Sequence, residues 1–143
     1  QYLKITDRKK DIIVNAGGDN ISPSRVEEKL NIEPEIAQSM LYGDFKNYLV
    51  AIIVPDKEQA MTWAIKNNKS KNLKVLITDQ DFIQMIKEVT SKVNTRLSVI
   101  EQVRKFILID EEFTIENDMM TPTMKVKRFK VKKIFGDELE KLY

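Results

Sequence analysis

Short apolar runs alternate with polar, turn-forming stretches along this chain, and the hydrophobic period changes from one segment to the next. Ile12, Ile13 and Val14 form a β-branched run bounded by Asn15 and the pair Gly17-Gly18, the pattern of a strand ending in a turn. Ser22 and Pro23 suit the N-cap and first position of a helix. Val26 and Leu30, four apart, predict that helix over Pro23 to Asn31, with Pro34 closing it. Ile36 to Tyr42 is mixed in character, Gly43-Asp44 marks a turn, and Tyr48 to Val54 is almost wholly apolar. The two runs predict an antiparallel pair whose second strand is central or buried on both faces. Asp56 with Gln59 resembles a capping box opening a helix, with Ala60, Trp63, Ala64 and Ile65 on one side.

Asn67 to Lys74 is polar and predicts a loop, after which Thr78 or Asp79 caps the clearest amphipathic helix. Its Phe82, Ile86, Val89, Val93 and Leu97 recur at helical spacing and predict a core-facing stripe, with Trp63 as a packing anchor. Val103 to Ile109 reads as a further strand. Glu111 to Thr123 shows no period and predicts a long loop. Arg128 to Tyr143 predicts a terminal helix through Val131, Ile134, Phe135, Leu139 and Leu142. Gly136-Asp137 would interrupt it, since glycine costs ~1 kcal/mol inside a helix. The order is not a βαβ repeat. The expected fold class is α+β: a small antiparallel or mixed sheet of about three strands packed by helices, plus a short N-terminal hairpin remnant.

Composition narrows the chemistry. The 143 residues suit one compact domain, and the apolar share of 42% can fill a core. Histidine and cysteine are absent. That removes Ser-His-Asp and Cys-His catalysis, disulfides, and zinc sites built on sulfur or imidazole. No metal-ligating residues are predicted. A net charge of +2 does not by itself point to a nucleic-acid partner. The longest apolar run, Tyr48 to Pro55, is far short of the roughly 20 residues of a spanning helix. Gln1 opens directly into a strand-like run, Tyr2 to Thr6, which reads as a cut through a larger protein.

Two stretches carry candidate chemistry. The first is Asp7-Arg8-Lys9-Lys10-Asp11, followed by Gly17-Gly18-Asp19-Asn20-Ile21-Ser22-Pro23. Read alone, it is a charged linker, a glycine turn and a capped helix. It is not a P-loop, because the Gly-x-x-x-x-Gly-Lys-Ser/Thr spacing is missing. The second is Thr121-Pro122-Thr123-Met124-Lys125-Val126-Lys127-Arg128, which begins six cations between Lys125 and Lys133. Read alone, it is a loop running into a basic surface, and a nucleic-acid or anionic-membrane module stays open. Phe129 as the one interleaved aromatic argues against a stacking platform.

Together, in this order, the stretches resemble the hinge motif and the C-terminal lysine motif of the adenylate-forming, acyl-CoA synthetase superfamily. The Thr-Pro-Thr-x-Lys-x-Lys-Arg form and the preceding Phe113-Thr114-x-Glu116-Asn117 are similar to its AMP-forming long-chain fatty-acid–CoA ligase branch. Other branches carry Ser-Gly or Thr-Gly just before the lysine. Asp118 stands where this branch commonly has glycine, and Met119-Met120 replaces a usual Leu-Leu pair.

The resemblance spans essentially the whole chain and implies the following. Residues 1–11 are junction strand and hinge, and residues 12–143 are the mobile C-terminal domain of an enzyme whose N-terminal domain binds ATP and acid. Lys125 serves the adenylation step, Arg8 contacts the nucleotide, and Lys10 is the hinge position. Gly17 and Gly18 face the coenzyme A tunnel at the domain interface, although a plain tight turn explains them nearly as well. A linker salt bridge with Asp7 or Asp11 is the other reading of Arg8. ATP, coenzyme A and Mg2+ belong to the full-length enzyme, with none bound by this domain alone, and the domain alone is expected to be inactive. The partners implied are its own N-terminal domain and a fatty acid, not nucleic acid. The location implied is cytoplasmic, with peripheral membrane contact of the full-length enzyme left open. Within the same superfamily, an acyl-AMP ligase serving a carrier protein is the alternative.

Overall fold

The computed structural model describes residues 12–143. A two-stranded hairpin, β1 (Ile13–Val14) and β2 (Asn20–Ile21), leads into α1 (Pro23–Asn31). Then come β3 (Ile36–Tyr42), β4 (Leu49–Pro55), α2 (Lys57–Lys66), α3 (Leu73–Leu76) and α4 (Gln80–Asn94). A 3-10 turn at Val99–Glu101, β5 (Val103–Leu108) and α5 (Arg128–Glu140) complete the order. The main sheet runs β3-β4-β5, with β4 antiparallel to β3 and parallel to β5. This is the expected α+β class, with the mixed option realised.

Every residue of β4 is buried, so an apolar run without alternation is what the position demands. Its side chains divide between two cores. Leu49, Ala51 and Ile53 join Val26, Leu30, Phe82, Ile86 and Val93 under α1 to α4 and the hairpin. Val50, Ile52 and Val54 join Met40, Phe113, Met119, Met120, Val131 and Leu139 under the C-terminal loop and α5. Phe82, Ile86 and Val93 of the predicted stripe are core, Val89 packs at its edge and Leu97 joins it from beyond the end of α4, while Trp63 packs edge-on against Phe82 with ring centroids 5.2 Å apart. Among the described residues no helix is long and apolar enough to cross a membrane.

Several local expectations change. Ser22 sits at the N-cap of α1 but makes no side-chain cap hydrogen bond, so Pro23 is the start signal that operates. Asp56 accepts from Gln59 N–H at 3.0 Å, and Asp79 rather than Thr78 caps α4 through Asp81 N–H and Phe82 N–H. The predicted loop from Asn67 to Lys74 ends early, because the single-turn helix α3, capped by Asn72, starts at Leu73 and is anchored by buried Leu76 with Leu73 packed beside it. Ile65 does not join Ala60 and Ala64 in the core; it points to solvent. Gly136 does not interrupt α5, because Val131 and Leu139 on either side are fully buried and hold the helix across it.

Candidate functional site

The C-terminal loop is built from local hydrogen bonds and long-range anchors. Phe113 is buried, and its backbone is gripped at both polar groups by one side chain. Gln38 Oε1 accepts from Phe113 N–H at 2.7 Å, and Gln38 Nε2 donates to Phe113 C=O at 2.9 Å. Asn117 closes the next turn by accepting from Thr114 N–H and Met119 N–H and donating to Glu112 C=O. Met119 and Met120 then plug the second core. The Met-Met pair therefore fills the apolar role expected of Leu-Leu.

Thr121 to Lys125 form a tight turn. Thr121 N–H donates to Lys125 C=O at 2.8 Å, Met124 N–H to Thr121 C=O at 2.8 Å, and Lys125 N–H to Thr121 Oγ1 at 3.1 Å. Met120 and Val126 bridge across its base. Met124, the residue just before the lysine, takes φ +65°, the left-handed conformation that glycine adopts at least cost. Asp118 takes φ +65° as well.

Lys125 leaves this turn as an exposed side chain at the rim of an open groove of about 670 Å³, lined also by Ser22, Glu28, Asn31 and Ser39. Among the described residues its ammonium has no carboxylate partner. Four of the neighbouring cations differ. Lys127 and Lys130 both pair with Asp118, at 2.5 and 3.0 Å, and Lys132 pairs with Asp44 at 3.0 Å. The Lys127 contact, then the Lys130 contact, holds the Asp118 carboxyl below its ordinary range. Arg128 forks onto Glu27 at 2.5 and 2.6 Å. These carboxylates offset the cations gathered at the start of α5, where the helix dipole disfavours positive charge.

Arg8 and Lys10 lie outside the described residues. Gly17 and Gly18 are exposed in the hairpin turn, whose Asn15 C=O accepts from Gly18 N–H at 3.0 Å. Gly18 at φ +84° needs to be glycine for that turn. The hairpin is tied to the β3–β4 turn by Phe45 N–H to Val14 C=O and Ala16 N–H to Lys46 C=O. Ile12 brings the start of the described chain to the same groove as Lys125. Glu27 and Gln38 carry no signal in the sequence, whereas Asn117 falls within the Phe-Thr-x-Glu-Asn motif. Among the described residues no group of three or more His, Cys, Asp or Glu side chains is placed to hold a metal ion.

The fold and site define a small α+β domain that carries an exposed lysine on a hydrogen-bonded turn beside an open groove. The chain belongs to the family of AMP-binding enzyme C-terminal domains, whose model matches residues 10–143. It is 39% identical over 144 aligned residues to the long-chain-fatty-acid–CoA ligase FadD15 of Mycobacterium tuberculosis, an alignment covering 99% of this chain and 24% of that protein. The chain therefore spans about a quarter of that curated relative's length. In solved structures it resembles the adenylation domain of a carboxylate reductase from Mycobacterium chelonae, with TM-score 0.79 and 25% identity over 95% of this chain and 20% of that one. It also resembles the A-PCP didomain of a carboxylic acid reductase from Segniliparus rugosus in complex with AMP. There the TM-score is 0.74 and the identity 25%, over 93% of this chain and 17% of that one.

Proposed function

We propose that this chain is the mobile C-terminal domain of a longer AMP-forming long-chain fatty-acid–CoA ligase. It supplies Lys125 to adenylation, in which a fatty acid and ATP give acyl-AMP and pyrophosphate, and then rotates to support thioester formation with coenzyme A. In this reading residues 1–11 are the junction, with Lys10 as the hinge and Arg8 reaching the nucleotide, and Gly17-Gly18 passes close to coenzyme A. The observation that carries it is the Lys125 ammonium, exposed and without a carboxylate partner among the described residues, on a turn held by three hydrogen bonds. Such a group can meet the charge that builds on the α-phosphate and attacking carboxylate only when the domain closes. ATP and coenzyme A are substrates of the whole protein. Mg2+ would enter with ATP in the full-length protein.

A unit charge pair at ~4 Å and an effective dielectric of ~20 is worth ~4 kcal/mol, about a thousandfold in rate if realised in the transition state. Lys125→Ala in the full-length protein is therefore expected to cut ATP–pyrophosphate exchange by about that factor. Thioester formation from supplied acyl-AMP should fall far less. Equal losses in the two assays would remove the assignment.

A second reading, transfer of the acyl group to a carrier protein, draws support from the likeness to the A-PCP didomain. Coenzyme A-dependent release of AMP by the full-length protein favours the first reading, and release that requires a carrier protein favours the second. The nucleic-acid or membrane module loses ground because Lys127, Arg128, Lys130 and Lys132 are already paired with carboxylates.

A further inference from the structure

Glu27 is a charged residue inside the molecule, 8% exposed, on the face of α1 that also buries Val26 and Leu30. A buried carboxylate is costly unless its oxygens are hydrogen-bonded. Three donors meet this one, and they come from two other elements. Leu41 N–H in β3 donates to Oε2 at 2.7 Å, Arg128 Nη1 donates to Oε2 at 2.5 Å, and Arg128 Nη2 donates to Oε1 at 2.6 Å. Arg128 is the first residue of α5 and lies three residues after Lys125. Between them, Lys127 N–H donates to Met119 C=O at 2.7 Å and Val126 bridges to Met120. The lysine turn is thus closed on itself at Thr121, and the Glu27 carboxylate moors its far end to α1 and β3.

We infer that Glu27 is a positioning residue for Lys125, acting through Arg128 to fix where the lysine turn stands on the domain. The inference rests on the reading of Lys125 given above and extends it to a residue in a different element. A lysine that must reach a pocket belonging to the rest of the protein is sensitive to small displacements, since ~1 Å of misplacement can cost on the order of a hundredfold in rate. The fork geometry matters as well as the charge. The planar guanidinium sets two bonds in one plane, and a lysine at the same place would set one.

The test uses the full-length protein with Glu27→Gln, whose amide oxygen still accepts from Leu41 N–H, and with Arg128→Lys as the second variant. Amide hydrogen exchange is read first. Faster exchange over Thr121 to Lys127, with β4 still protected, is expected for both variants, and unchanged exchange in that loop overturns the mooring whatever Lys125 does. Kinetics are read second. Glu27→Gln is expected to lower kcat for ATP–pyrophosphate exchange by roughly ten- to a hundredfold. The KM for ATP and the thioester step from supplied acyl-AMP should stay within about twofold, and Arg128→Lys should fall between wild type and Glu27→Gln. Added to Lys125→Ala, Glu27→Gln should cost little more, because the two act through one group. A multiplicative loss on that background, or equal loss in both partial reactions, makes Glu27 a general stability residue and overturns the inference. Failure of Lys125→Ala to separate the partial reactions would instead remove the Lys125 reading, and the exchange result would still decide the mooring. Should Glu27→Gln not fold, Arg128→Lys, which keeps both charges, carries the same comparisons.

Discussion

Two residues of the lysine loop, Asp118 and Met124, hold φ +65° without being glycine. A left-handed conformation costs an ordinary L-residue ~1–2 kcal/mol, whereas glycine loses ~0.5–1 kcal/mol more chain entropy on folding. Met124 is 63% exposed, so its side chain has little packing to lose. Met124→Gly is therefore expected to be neutral or to stabilise by up to ~1 kcal/mol in urea unfolding. A loss beyond ~1 kcal/mol would show that the methionine contributes contacts of its own. Asp118 differs, because its carboxylate ties Lys127 and Lys130 together and a glycine there would discard both contacts. Lys125 was readable from its motif. Glu27 and Gln38 were not, since their partners Arg128 and Phe113 are 101 and 75 residues away in the chain.

The helices with strong stripes or caps formed where their patterns placed them, because repeats of three and four residues decide a helix locally. The exceptions were elements that depend on neighbours. The four-residue α3 is too short for a period to show, and α5 passes through Gly136 because buried residues flank it. The aperiodic loop from Glu111 is ordered by contacts rather than by secondary structure. Phe113 is its main anchor, fully buried in the second core and gripped by Gln38. Phe113→Ala is expected to destabilise the domain by ~3–5 kcal/mol, the usual loss for a buried Phe truncated to Ala. Denaturant unfolding monitored by circular dichroism would check it, and a change below ~1 kcal/mol would mean the loop is not held through this residue.

The last turn of α5 closes the second core against the β3–β4 turn through three tyrosines. Tyr143 Oη donates to Tyr48 C=O at 3.0 Å, Tyr48 Oη donates to Leu142 C=O at 2.9 Å, and Tyr42 Oη donates to Glu140. Burial, and then the Glu140 contact, push the Tyr42 hydroxyl up to about 12, and burial with the neighbouring tyrosines pushes Tyr143 up as well. A phenol whose folded pKa is raised keeps its proton while the unfolded chain has begun to lose it. Its contribution is therefore complete below pH 10 and is lost as pH rises from 10 to about 12. Melting temperatures across that window are expected to fall, and to fall less steeply in Tyr42→Phe. An identical decline in the variant would show that the seal does not titrate through Tyr42.

Periodicity and caps determined α1, α2, α4 and the buried central strand, because each depends on residues within a few positions of one another. The parallel seating of β5 on β4, the division of β4 between two cores, and the pairing of a basic run with Glu27, Asp118 and Asp44 were decided by the tertiary structure. An ion pair across a hundred residues forms only when packing brings two faces together and excludes water from between them, and no local pattern encodes that meeting. The same packing left Lys125 exposed at its groove while binding Lys127, Arg128, Lys130 and Lys132 to carboxylates.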